Sequence, residues 1–224
     1  MWSDWHAYPE FHGYATRGRV RMQFVLRYHG PLPGDKPNTT EEKHGIRLFL
    51  HPQLEQLCQR ERAFESNIAN GLHPVSLKNR RLDITVPNTW FVRVPMRDVD
   101  FIPLVTRVRD LACEIDILWL RRERPGQIFH SGGDLDNRLK SLFDGLRIPH
   151  NENELPKCGV APASGTRCFC LLEDDALITK VTINTYQLLE PLEAGASDTD
   201  VDLLIRVLVQ STSQHGGVEA FNHA

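Results

Sequence analysis

Between Leu111 and Leu146 the chain changes its hydrophobic period, and this change limits the possible folds more than any other feature. In LACEIDILWL, residues 111–120, Cys113, Ile115, Ile117 and Trp119 alternate with Glu114, Asp116 and Leu118. A period of two belongs to a strand that buries one face. After Gly132-Gly133, Leu135, Leu139, Leu142, Phe143 and Leu146 recur at helical spacing and predict a helix over about 135–146. A fold that uses both periods side by side must pack a helix against a sheet.

The rest of the chain fits that frame. Strands are predicted at 20–28, in pieces of 82–94 broken by Pro87, and at 101–108, 168–172, 177–189 and 201–210. A second helix is predicted over 52–66, where Leu54, Leu57 and Cys58 share a face and Pro52 suits the first turn. Gly195-Ala196-Ser197-Asp198 joins the last two strands and suits an antiparallel connection. The expected class is α+β: a small mixed or antiparallel sheet with two main helices. The expected domain spans 20–210, with insertions at about 67–100 and 147–167, an arm at 1–19 and a polar tail at 211–224.

The arm carries Trp2, Trp5, Tyr8, Phe11 and Tyr14 at a spacing of three. Pro9 excludes a regular α-helix there, and a polyproline II segment would align the five rings. Such rings either pack on the chain's own core or on a second subunit, dock a partner protein, or stack on bases. The opening MWSDWHAYPEF lacks the apolar core of a secretory signal, and no run approaches a membrane span, so a cytoplasmic protein is expected. Asn38-Thr39-Thr40 then matches a glycosylation triplet by chance. The five cysteines, Cys58, Cys113, Cys158, Cys168 and Cys170, follow no disulfide framework and no zinc spacing, and are expected to be structural thiols. A net charge of -3 does not exclude nucleic acid, because local charge decides that contact. Basic groups gather at Arg17, Arg19 and Arg21, at Lys78, Arg80 and Arg81, and at Arg121, Arg122 and Arg124.

The chemistry concentrates where the period changes. Asp134 and Asp136 flank the helix start, and Asn137, Lys140, Ser141 and Asp144 follow along one helical face. Asp174-Asp175 lies between two predicted strands, and sheet pairing would bring it beside the helix start. Several carboxylates with an amide and a lysine suit Mg2+, which takes oxygen ligands and activates water toward phosphate esters. Lys140, one turn into the helix, can neutralise phosphate charge. Each residue also has a structural explanation: an aspartate as helix cap, Lys140 and Asp144 as an exposed pair, Asp174-Asp175 as a solvated turn. His130 and His150 lie in polar loops and are expected to be solvated or structural.

DLDNRLKSLFDGL followed by LLEDDALITKV resembles the RusA family of Holliday junction resolvases. Asp134, Leu135, Asp136, Asn137, Lys140, Asp144, Leu146, Asp174 and Asp175 match its motif over 134–183. A weaker likeness upstream takes in Pro31, Pro33 and Asn38. The resemblance implies a homodimeric endonuclease that cuts four-way DNA junctions with Mg2+, Mn2+ being a possible substitute. It implies Asp134, Asp136 and Asp175 as metal ligands, Lys140 as the catalytic lysine, and Asn137, Asp144 and Asp174 in support. Arg121, Arg122, Arg124 and Arg138 are the expected DNA contacts.

The chain departs from the family in its greater length, in its basic run about ten residues upstream of Asp134, and in the loop 147–167, which would gate or reshape the site. The expected activity is a Mg2+-dependent endonuclease for branched DNA. The alternatives are a non-cleaving DNA-binding or assembly module of the same fold and a nuclease for other DNA or RNA.

Overall fold

The computed structural model describes residues 21–32, 39–60, 73–74, 92–121, 135–163, 165–189 and 200–212. The aromatic arm, most of the expected insertion at 67–100 and nearly all of the tail lie outside the described residues. In chain order the strands are β1 (Arg21–Pro31), β2 (His73–Pro74), β3 (Val92–Met96), β4 (Val99–Val105), β5 (Leu111–Arg121), β6 (Arg167–Leu172), β7 (Ile178–Gln187) and β8 (Asp200–Ser211). The helices are α1 (Thr40–Arg60) and α2 (Leu135–Leu146). Short 3-10 turns occupy Arg107–Arg109, Glu152–Glu154 and Asp175–Leu177.

The fold is α+β, with two four-stranded sheets where the sequence suggested one. The larger sheet has the order β1-β8-β5-β7. β8 runs antiparallel to both β1 and β5, while β7 runs parallel to β5. The alternation in β5 is realised: Cys113, Ile115, Ile117 and Trp119 are all buried. Val201, Leu203, Ile205, Val207 and Val209 of β8 face the same way. Ile46, Leu50 and Leu54 of α1 and Leu142 and Leu146 of α2 pack into this one core. The smaller sheet, β2-β3-β4-β6, has a second core of Val92, Val94, Phe101, Cys168 and Cys170, closed by Ile148 and Leu155. Among the described residues no helix is long and apolar enough to cross a membrane.

Two expectations need correction. The first helix starts at Thr40, and Pro52 lies inside it. The start is fixed by a reciprocal cap: Thr39 Oγ1 accepts from Glu42 N at 3.2 Å, and Glu42 Oε2 accepts from Thr39 N at 2.6 Å. Pro52 removes one helical hydrogen bond, at a cost of ~3 kcal/mol. Burial of Arg47, Leu50, Leu54 and Cys58 along one face offsets that loss.

Second, β7 and β8 point in opposite directions but are not neighbours, because β8 sits between β1 and β5. Side-chain chemistry explains the order. β8 alternates large apolar residues and takes a central place, whereas β7, ITKVTINTYQ, is largely polar and takes an edge.

The segment after α2 is a loop, as expected, and residues 147–160 of it are packed down. Arg97 donates to the carbonyls of Pro156 and Glu152, and His44 Nε2 donates to Val160 O at 2.9 Å. Ile148 and Leu155 are buried in the smaller core. A segment anchored at so many points is a poor gate.

The helices meet at Gly145. A Cβ built there would lie 2.6 Å from both Cβ and Cγ2 of Ile46, so only glycine lets α2 approach α1 this closely. Gly145→Ala is expected to destabilise the chain by about 2 kcal/mol, despite the better helix propensity of alanine. Gly45 of α1 is exposed with nothing within 4 Å of a Cβ, so Gly45→Ala should stabilise by about 0.5–1 kcal/mol. Urea unfolding of both variants measures the opposite signs.

Two buried histidines tie α1 to the smaller sheet. His51 Nδ1 accepts from Phe169 N at 3.0 Å, and its ring stacks on Phe169. Burial lowers the pKa of both rings, against opposing pulls from the Val160 carbonyl on His44 and from Glu55 on His51. The unfolded chain therefore binds protons more readily as the pH drops below the ordinary imidazole range. The stability these neutral rings confer at neutral pH is lost on the way down to their depressed folded values. The urea midpoint should fall from about pH 7.5 to about pH 5.5, and a His44→Asn, His51→Asn chain should show a flatter profile over that window.

Candidate metal centre

α2 begins where the sequence put it, and its first turn carries Asp136. An acidic residue there is favoured by the positive end of the helix dipole. Asp136, Asn137 and Lys140 are exposed, and Asp136 and Lys140 are one turn apart on the same face. Asp134, Arg122, Arg124 and His130 lie outside the described residues, as does the side chain of Arg121.

Further along, the polar face turns inward. Ser141 is buried and its hydroxyl donates to Asn137 O at 2.9 Å. Asp144 is only 6% exposed. It pairs with Lys43 of α1 at 2.7 Å and with Arg147 at 2.6 Å, and not with Lys140. Arg147 continues to Glu154 at 2.9 Å. Arg47 donates to the carbonyls of Asp144 at 2.6 Å and Arg147 at 2.7 Å. Asp144 thus centres a buried ion network at the far end of the helix. Asp144, expected in a supporting role, holds the end of the helix in place. Arg138, an expected DNA contact, is corrected: at 2% exposure its side chain is inside the protein and offers no grip on a phosphate backbone.

Burial by itself would raise the Asp144 carboxyl, but the hydrogen bond from Lys43 and the charges of Arg147 and Lys43 bring it below the ordinary range. Glu154 behaves alike, burial being outweighed by Arg147 and by the His150 backbone N–H.

The second acidic group is held by backbone chemistry. Asp174 caps the 3-10 turn, its Oδ1 accepting from Ala176 N at 2.9 Å. Its Oδ2 takes Arg107 Nη2 at 3.0 Å. Burial would raise this carboxyl, but the Ala176 N–H, the Arg107 charge and the adjoining Asp175 carboxyl lower it. Asp175, the first residue of the turn, is exposed. The turn packs against both α2 and β5. Its base is fixed on two sides: Glu173 N donates to Val105 O at 3.0 Å, and Ile148 N to Leu172 O at 2.9 Å. The turn that carries Asp175 therefore packs against the helix that carries Asp136.

Two exposed carboxylates, Asp136 and Asp175, suit a hard cation, since Mg2+ commonly takes one or two carboxylates and fills its remaining positions with water and substrate. Among the described residues no three His, Cys, Asp or Glu side chains gather as a metal-holding group. The sulfur side of the chain is set differently. Cys58, Cys113, Cys168 and Cys170 are buried thiols, Cys158 is exposed, and burial pushes the Cys113 thiol up to about 12.

The sequence reading missed Lys43, Arg47, Arg107 and Arg147, the cations that fix both acidic segments. Thr39-Thr40-Glu41-Glu42 was the available signal. Read as a capping box, it starts α1 at residue 40 and aligns Lys43, Arg47, Leu50 and Leu54 on one face. Comparison with family models, with curated proteins and with solved structures gives no match.

The geometry separates structural from exposed residues by stability. Asp144→Asn should cost about 3 kcal/mol, because it leaves Lys43 and Arg147 facing a neutral group in a buried setting. Lys140→Ala should change stability by less than about 0.5 kcal/mol. The penalty for Asp144→Asn should vanish in acid: its carboxylate stabilises above the ordinary carboxylate range and ceases to as the pH falls through its depressed folded value. Chemical denaturation as a function of pH measures both effects.

Proposed function

We propose that this chain is a Mg2+-dependent endonuclease of the RusA type, acting on branched DNA such as four-way junctions. The observation that carries the reading is the packing of the Asp175 turn against α2, the helix that exposes Asp136 and Lys140. Asp134, Asp136 and Asp175 are the residues that would hold the ion. When bound there, the ion would supply Lewis-acid polarisation of a phosphate oxygen and a more acidic water.

The chain's own residues supply the remainder. Lys140 projects from the same face as Asp136 and can neutralise negative charge as it grows on the phosphate or the leaving oxygen. Asp174 acts through position: its bonds to Ala176 N and Arg107 stiffen the turn that carries Asp175. Arg121, Arg122 and Arg124 supply cations for the DNA backbone, so affinity should fall steeply with salt. The cytoplasm is the compartment that fits a DNA substrate and free thiols at the described cysteines.

Asp136→Asn and Lys140→Ala are the tests. Each is exposed, so each should fold normally. Each should lower Mg2+-dependent cleavage of a four-way junction by about 100-fold or more, with little change in junction binding by Lys140→Ala. Cleavage of branched DNA at the wild-type rate by Asp136→Asn would sink the assignment. Junction binding by the wild-type chain without any nicking would favour a non-cleaving module. Preferential cleavage of linear duplex or RNA in the same panel would move the substrate class.

A further inference from the structure

β4 and β6 run parallel and end side by side, with Val105 opposite Leu172. The chain leaves both strands at this end, through the 3-10 turn Arg107–Arg109 after β4 and through Glu173-Asp174-Asp175 after β6. Three hydrogen bonds tie the two exits together: Glu173 N donates to Val105 O at 3.0 Å, Arg107 N to Glu173 Oε2 at 2.9 Å, and Arg107 Nη2 to Asp174 Oδ2 at 3.0 Å. Asp110, in the left-handed region, closes the first turn by donating from its backbone N to Arg107 O at 2.9 Å. The backbone of Arg107 is therefore fixed beside the turn that carries Asp175.

The side chain of Arg107 is held but not used up. A guanidinium offers several N–H donors in a planar fork, and Asp174 takes one of them. No second acceptor for the fork is found among the described residues, and the side chain is 45% exposed. Asp174 is the more buried partner at 17%, and it is already committed to its own turn through Oδ1 and Ala176 N. The ion pair therefore orients the arginine as much as the aspartate. A cation pre-oriented in this way, with donors left over, binds a phosphate at low entropic cost.

We propose that Arg107 grips the DNA strand at the phosphate next to the scissile one, with Asp174 as the residue that positions it. The inference rests on the nuclease reading, in which the scissile phosphate meets an ion at Asp175. Asp174 directly precedes Asp175, so a strand held at Asp175 passes its neighbouring phosphate within reach of Arg107. Arg107 lies outside the basic clusters of the sequence and takes the kind of contact that buried Arg138 cannot make. Its part is binding, not bond breaking, so its loss should raise KM and leave kcat unchanged.

Arg107→Gln keeps a donor for Asp174 and removes the charge. Two measurements test it: anisotropy of a labelled four-way junction in EDTA from about 50 to 200 mM salt, and steady-state cleavage with Mg2+. The slope of log affinity against log salt should become shallower by about 0.9, and KM should rise about tenfold at constant kcat. Arg107→Lys should restore the slope, and Asp174→Asn should keep it. A purely structural Arg107 predicts that Arg107→Gln and Asp174→Asn act alike with the slope unchanged, and that result overturns the proposal. If the wild-type chain cuts junctions while Arg107→Gln keeps both slope and KM, this inference falls and the nuclease reading stands. If the wild-type chain binds junctions but never nicks them, the nuclease reading falls, and the slope alone upholds or overturns the phosphate contact. A wild-type chain that binds no DNA overturns both. If Arg107→Gln does not fold, a neutral methylphosphonate beside the mapped cut decides in its place: it should raise the KM of the wild-type chain by the same factor, and an unchanged KM overturns the proposal.

Discussion

The guanidinium of Arg47 reaches from α1 to the end of α2 and bonds the carbonyls of Asp144 and Arg147. A helix leaves its last carbonyls without partners, and a buried end cannot turn to water for them. Arg47 supplies both a donor pair and a positive charge at the negative end of the helix dipole. The cost is burial of an arginine at 2% exposure, and burial lowers its pKa. Gly145, between the two carbonyl-bearing residues, lets the helices approach until Ile46 fills the space a side chain would need. The position of α2 relative to both sheets follows from this junction.

The junction also explains how the turn after β6 comes against α2. Arg147, just past α2, pairs with Leu172 at the end of β6 and with Asp144 and Glu154 through its side chain. The chain leaving β6 then turns through Asp174 and Asp175 against α2. One set of buried ions therefore orients the helix that exposes Asp136 and Lys140, and also sets the origin of the turn that exposes Asp175. Of the acidic residues in the motif, Asp144 and Asp174 build the frame, while Asp136 and Asp175 face solvent. That division answers the electrostatic problem of gathering carboxylates. The two that sit deepest are each paired with a cation, and the exposed ones keep their water.

Edge management follows from the same economy of side chains. α1 lies along the larger sheet and against β6, so its polar residues Gln53 and His51 can satisfy strand edges that would otherwise stay open. β7 lies on the far side of β5 from β8 and β1. A strand buried on one face needs apolar alternation; β7 has little of it, and its Ile178 and Ile183 are only partly buried against the core.

The sequence by itself determined the elements whose burial is periodic. The strand at 111–121 and the helix at 135–146 were legible because each buries one face, and a buried face imposes its period on the residues. The exposed acids Asp136 and Asp175 and the lysine Lys140 were legible as a motif; the packing of the Asp175 turn against α2 comes from the tertiary structure. Only the tertiary structure decided that the sheet is two sheets, that β8 lies between β1 and β5, and that Pro52 sits inside a helix. It alone showed Arg138 buried, and it turned Asp144 inward, where Lys43, Arg47 and Arg147 converge from segments about a hundred residues apart. Pairing order and buried charge networks depend on which distant residues meet, and local periodicity carries no record of that. The change of period between Leu111 and Leu146 dictated a helix packed on a sheet; the buried ions at the end of that helix decided where it points.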